Sequence, residues 1–218
     1  SLHDALPIYL GLQKIKSYDS SEARGYLNEA IDLLQKEKEQ GNSKAEYNLA
    51  KIYYLLTQMK SREELEEAGI KMEDPLLLCG ALSDHKTIVL KSLILIQKAI
   101  DEGSVEDFRE AKQLLQGIEI EHDNLALTVR GIIYAFENDD QGLELLEKAH
   151  DNSVEGSNVE SQINWEFIKY GNRIGDAFLE KDKLRSGELN PVKTVAVEKL
   201  KLGGYWEKLE ALKNKLKA

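Results

Sequence analysis

Apolar residues along this chain recur at intervals of three and four. Leu27, Ile31, Leu33 and Leu34 form one stripe. Leu114, Leu115 and Ile118 form a second, and Leu143, Leu145, Leu146 and Ala149 a third. A side chain returns to the same side of an α-helix after about 3.6 residues, so each stripe is one face of an amphipathic helix. The run Thr87–Ile96 is rich in β-branched residues and, alone, fits a strand. It has no second strand to pair with, however, and continues into Gln97-Lys98-Ala99-Ile100, so it too reads as helix. Glu, Lys, Leu and Ala dominate and there are only 3 prolines, which favours an all-α fold.

Helix ends are marked by local chemistry. Ser61-x-x-Glu64, Asn138-x-x-Gln141 and Ser157-x-x-Glu160 have capping-box spacing or close to it, in which each end residue satisfies an orphan amide of the first turn. Asp74-Pro75 and Asn190-Pro191 put proline at a first helical position, where its missing N–H is harmless. Asp19, Asp84 and Ser104 are further expected caps, and Gly41, Gly103 and Gly203-Gly204 fall where helices should stop. These signals predict helices near 9–17, 20–39, 43–59, 61–71, 75–82, 85–102, 105–118, 123–136, 139–151, 158–181, 190–202 and 205–217.

The net charge of −10 is unevenly spread. Residues 101–160 carry sixteen acidic and four basic side chains, a surface that repels phosphates, so no nucleic acid is expected as a partner. Residues 190–218 carry seven basic and three acidic side chains, expected to be the solvated face of a terminal helix. No apolar run approaches the roughly 18 residues of a membrane span. The single cysteine, Cys79, rules out an intramolecular disulfide. That leaves the compartment open between cytoplasmic and bacterial extracytoplasmic.

Residues 1–8, SLHDALPI, read as the in-frame translation of a common sequencing-library adapter. That adapter leaves one thymine over, and both codons of Tyr9 begin with thymine. On this expectation residues 1–8 stand outside the fold and the native N-terminus lies upstream of Tyr9. Residues 9–151 are then a helical repeat array, irregular over 60–84, and 152–218 form a C-terminal helical region of degenerate or capping helices.

The repeat is visible as a coupled pattern. In Gly131-Ile132-Ile133-Tyr134 a small residue is followed three later by an aromatic. Gly142, Leu146 and Ala149 follow at the spacing of a second helix. Near the N-terminus Gly11 precedes Ala23, Leu27 and Ala30 in the same way. Ala45-Glu46-Tyr47-Asn48-Leu49-Ala50-Lys51-Ile52-Tyr53-Tyr54 gives the small-then-aromatic helix again, and Ala111, Leu115 and Ile118 the second-helix spacing. Small residues let two helices approach closely, and the aromatic fills the gap beside them. This pattern resembles the tetratricopeptide repeat superfamily. The stretch KEKEQGNSKAEYNLAKIYY and the 39-residue spacing from Gly11 to Ala50 are closest to its Sel-one-like subclass. The resemblance implies a right-handed α-solenoid of tandem antiparallel helix hairpins. The other reading of the same residues is an irregular helical bundle.

Motifs for chemistry are sparse. His85, His122 and His150 have no second histidine or cysteine at metal-ligand spacing, so no metal or other cofactor is expected. There is no glycine-rich phosphate loop and no G-x-S-x-G. The chain is therefore expected not to be an enzyme. Trp165 and Trp206 read as core anchors.

In the resembled architecture the first helix of each hairpin lines a concave groove. The resemblance thus implies that Tyr47, Asn48, Lys51 and Tyr54 face that groove, with Thr128, Ile132 and Ala135 as later counterparts. An asparagine amide both donates and accepts, which suits an extended chain. The plainer alternative is that Tyr47 and Tyr54 pack between hairpins while Asn48 faces water. The expected function is a protein-interaction or scaffold role, binding a peptide, helix or subunit. The alternative is a helical accessory region of an enzyme or regulator whose catalytic or sensor domain lay upstream.

Overall fold

A computed structural model describes residues 21–57, 60–80, 82–137, 141–152 and 205–218. Every element among them is an α-helix: α1 (Ser21–Glu39), α2 (Ser43–Thr57), α3 (Arg62–Glu67), α4 (Pro75–Cys79), α5 (His85–Glu102), α6 (Val105–Leu114), α7 (Asn124–Phe136), α8 (Gln141–Asp151) and α9 (Tyr205–Lys217). The protein is all-α over the described residues. The β-branched run 87–96 lies inside α5, as the apolar continuation beyond it requires. The helices expected at 9–17, 158–181 and 190–202 lie outside the described residues. So do Asp19, Asn138, the Ser157 box, Asn190-Pro191, Trp165 and Gly203-Gly204.

Local sequence explains most boundaries. Ser61 Oγ accepts from the Glu64 amide (3.2 Å) while Glu64 Oε2 accepts from the Ser61 amide (2.9 Å), a complete capping box. Asp74 caps α4 through the Leu76 amide (2.9 Å), with Pro75 in the first turn. Ser104 caps α6 through the Asp107 amide (3.2 Å). Asp84 accepts from both the amide (3.1 Å) and the hydroxyl (2.6 Å) of Thr87. Burial pushes the Asp84 carboxyl up, but these hydrogen bonds outweigh it and hold the group below the ordinary aspartate range.

Three expected helices are shorter than the apolar pattern implied, and the one expected over 75–82 ends at Cys79, with Gly80 as its C-cap. The helix expected over 61–71 stops at Glu67 because Gly69 takes a left-handed φ of 83°. The Gly69 amide then bonds to the Glu66 carbonyl and the Ile70 amide to the Leu65 carbonyl, closing a Schellman turn over buried Leu65 and Ile70. The helix expected over 105–118 ends at Leu114, and tight turns carry the chain through Ile118.

By contact the chain forms two compact units, 1–90 and 91–218. In the first, α1 and α2 are joined at the left-handed Gly41 (φ 82°) and pack together, and α2 also packs on α4. Leu27, Ala30, Ile31 and Leu34 of α1 and Ala45, Leu49, Ile52 and Leu56 of α2 are buried. In the second, α7 and α8 pack together over most of their length, and α6 touches both α7 and α9. The Phe108 and Phe136 rings meet edge-on at 5.5 Å between centroids.

The α7–α8 pair is built on two glycines. A Cβ added to Gly142 would lie 2.5 Å from the Ala135 amide nitrogen and 2.8 Å from the Gly131 carbonyl oxygen. A Cβ on Gly131 would lie 2.8 Å from Leu146 Cγ and 2.9 Å from the Gly142 carbonyl oxygen. The helices therefore touch backbone to backbone, which only glycine permits. Gly25, exposed near the start of α1, has nothing within 4 Å of its would-be Cβ. These two environments predict opposite signs. Gly142→Ala should destabilise by about 1–3 kcal/mol through overpacking. Gly25→Ala should stabilise by about 0.5–1 kcal/mol through helix propensity. Urea denaturation of the two variants checks both.

Candidate functional site

The candidate residues of the first compact unit lie on α2. Leu49, Ile52 and Leu56 turn its apolar side inward, and Ala50 and Tyr53 extend the buried arc. Helical spacing puts Lys44, Asn48, Lys51 and Leu55 along the opposite side, with Tyr47 and Tyr54 beside them. Lys44 is exposed, while Tyr47, Asn48 and Leu55 are half-buried. Lys51 and Tyr54 are each only 3% exposed. The Lys51 ammonium stands 4.9 Å from the centroid of the Tyr47 ring, so the ring face is turned to the cation. What α2 presents at its surface is thus the Asn48 amide flanked by Lys44, the Tyr47 side chain and Leu55.

Behind this strip, Tyr53 is fully buried and its hydroxyl accepts a hydrogen bond from Gln35 Nε2 of α1 (3.1 Å). Burial, reinforced by the negative charges of Glu73 and Asp32 against the opposing pull of the Gln35 bond, pushes the Tyr53 phenol up to about 12. Lys38 near the end of α1 is paired with Glu73, and Arg62 donates to the Met72 carbonyl (3.3 Å), so the segment after α3 is tied at two points.

The later candidates lie in the second unit. Thr128 and Ile132 on α7 are both fully buried, and Ala135 is 5% exposed. The Thr128 hydroxyl donates back to the Asn124 carbonyl one turn earlier (2.8 Å). As the chain stands, these side chains contribute packing to α7 rather than open surface. Among the described residues no three His, Cys, Asp or Glu side chains gather in a group fit to hold a metal ion, and no helix is long and apolar enough to cross a membrane. Cys79 is buried.

Compared with protein-family models, curated proteins and solved structures, the chain matches none.

Two features escaped the sequence pattern. Arg130, in the middle of α7, donates from one guanidinium nitrogen to the carbonyls of Leu115 and, at 3.3 Å, Ile118. It therefore caps the end of α6 from another helix. The C-terminal lysines also do more than face solvent. Lys208 pairs with Asp101 (3.5 Å), Lys215 donates to the Gly103 carbonyl (2.8 Å), and Lys213 is only 8% exposed.

Two outcomes are expected. Arg130→Ala leaves the two turn carbonyls without this donor and should cost about 1–3 kcal/mol in chemical denaturation. Arg130→Lys, with a single-point cation in place of the planar fork, should restore only part of that loss. For Tyr53, the folded value lies above the unfolded value of about 10. The native state therefore keeps the phenol neutral where the unfolded state ionises it. The contribution is complete below pH ~10 and is lost as pH rises toward about 12. Urea midpoints of the wild type should fall across that window more steeply than those of Tyr53→Phe.

Proposed function

We propose that the chain is a non-enzymatic protein-interaction module. In this reading it is a right-handed α-solenoid of tetratricopeptide-type, Sel-one-like hairpins that binds a peptide, a helix or another subunit along its first-helix faces. The observation that carries the reading is the backbone contact between Gly131 and Gly142. It falls at the two positions where the repeat pattern requires small residues, and Leu146 and Ala149 are buried at the two positions that follow in that pattern. In the same register Ala50 takes the place of Gly131 and the buried Tyr53 that of Tyr134. Asn48 lies on the open strip of α2, between exposed Lys44 and half-buried Leu55. A two-sided amide on a rigid helix, flanked by a phenol and an ammonium, recognises the alternating donors and acceptors of an extended backbone.

Selection of a displayed random-peptide library on the whole chain tests this. Selected peptides should lose tenfold or more in affinity, about 1.4 kcal/mol, on Asn48→Ala or Tyr47→Ala, with the helical circular dichroism unchanged. Tyr54→Ala, at a buried position, should instead lower the melting temperature. Selected peptides that bind Asn48→Ala and Tyr47→Ala as tightly as the wild type would remove α2 from the recognition surface.

A further inference from the structure

Helix α5 ends against its own dipole. The negative pole of a helix lies at its C-terminus and favours cations there. The last turn of α5 nevertheless carries Asp101 and Glu102 and no basic residue. The chain then turns left-handed at Gly103 (φ 66°), which has no side chain to cover its carbonyl. Three negative features thus meet at one helix end. The cations that answer them come from the far end of the sequence. Lys215 Nζ donates to the Gly103 carbonyl (2.8 Å), and Lys208 pairs with Asp101 (3.5 Å), which is also held by Gln97 Nε2 (2.9 Å). Between these lysines, Leu209 and Leu212 are fully buried, and α9 packs on α6. The basic side of α9 therefore meets acidic groups at the end of α5, while Leu209 and Leu212 on the same helix are buried.

We propose that the end of α5 together with the adjoining face of α6 is a docking site for basic amphipathic helices, and that α9 is its resident and displaceable occupant. The partner class is a helix with two leucines three residues apart and lysines one residue before the first and three after the second. The polar half of the contact is made by partly exposed groups, the Lys208 and Asp101 side chains being 49% and 44% accessible, so it weakens as salt rises. A thirteen-residue helix is marginal alone in water and needs that contact to persist. This inference concerns a different surface from the α2 strip and does not rest on the solenoid reading.

Hydrogen exchange on the full chain tests it. The amides of Tyr205–Lys217 should exchange faster at high ionic strength, and fast at every ionic strength in the double variant Lys208→Glu/Lys215→Glu, while those of α7 and α8 stay unchanged. A labelled synthetic peptide of residues 205–217 should then bind the double variant at least tenfold more tightly than the wild type, because the wild-type site is filled in cis. The same peptide carrying both glutamates should bind neither chain. If α9 exchanges in step with α7 and α8 at all salt concentrations, or if the peptide binds both chains alike, α9 is a fixed part of the core and the proposal fails.

Discussion

Two peptide backbones in contact set the geometry of the α7–α8 pair. Helices that meet through ordinary side chains lie 8–10 Å apart. At Gly131 and Gly142 there is no room for even a methyl group. Close approach fixes the separation and the register of the two helices at once, since sliding either by one residue would drive a Cβ into a carbonyl. The other features of the pair follow from it. Leu146 lies directly over Gly131, Ala149 one turn further on is buried, and Phe136 reaches across to Phe108 of α6. A short helix such as α8 gains its stability from such contacts rather than from its own propensity.

Because the helices are short, their ends are a large share of the structure, and each end has amides or carbonyls to satisfy. Most of these devices are local. Ser61, Asp74, Asp84 and Ser104 act on amides two or three residues away, and Gly41, Gly69 and Gly103 stop helices by turning left-handed. For that reason helix order and most boundaries were legible in the amino-acid sequence. Gly69 does not stand out as a stop because it lies between apolar neighbours, Ala68 and Ile70, that continue a helical pattern. Its real sign is the pairing of Leu65 with Ile70 across the turn. The early end of α6 was hidden for another reason. Leu115 is buried and Ile118 half-buried at helical spacing, yet the backbone between them has left the helix. Its carbonyls are satisfied by Arg130. Nothing in the spacing of Leu115, Ile118 and Arg130 announces a bond that the fold creates by bringing two helices together.

The candidate site was legible in outline only. Helical spacing assigns Tyr47, Asn48, Lys51 and Tyr54 to neighbouring sides of one helix, and all four lie in α2. It says nothing of depth, and depth separates them: Lys51 and Tyr54 are buried where Asn48 is half-open. Lysine is the residue least expected inside. Its four-carbon stem can lie along the helix while the ammonium rests near an aromatic face, and Tyr47 stands one turn before it to provide that face. A lysine four residues after a tyrosine on a helix that is apolar on its other sides is the signal that would have found this. The same limitation applies to Thr128, whose hydroxyl is satisfied by its own helix and which is therefore free to be buried.

Charge along the chain has a structural meaning that composition alone obscures. A uniformly mixed surface would leave the acidic middle and the basic end to solvent, and exposed pairs contribute little singly. Here the two segments are complementary, and their meeting point is a helix terminus that its own sequence leaves electrostatically unanswered. Carboxylates at the negative pole of α5 are unfavourable by themselves, and lysines crowded on α9 repel one another. Each arrangement becomes tolerable through the other. Such mutual dependence makes the contact specific, since an uncharged helix of the same apolar pattern would leave Asp101, Glu102 and the Gly103 carbonyl facing one another. Burial of Leu209 and Leu212 does not by itself choose a register. The lysines choose it, because only one alignment places Lys208 at Asp101 while Lys215 reaches Gly103.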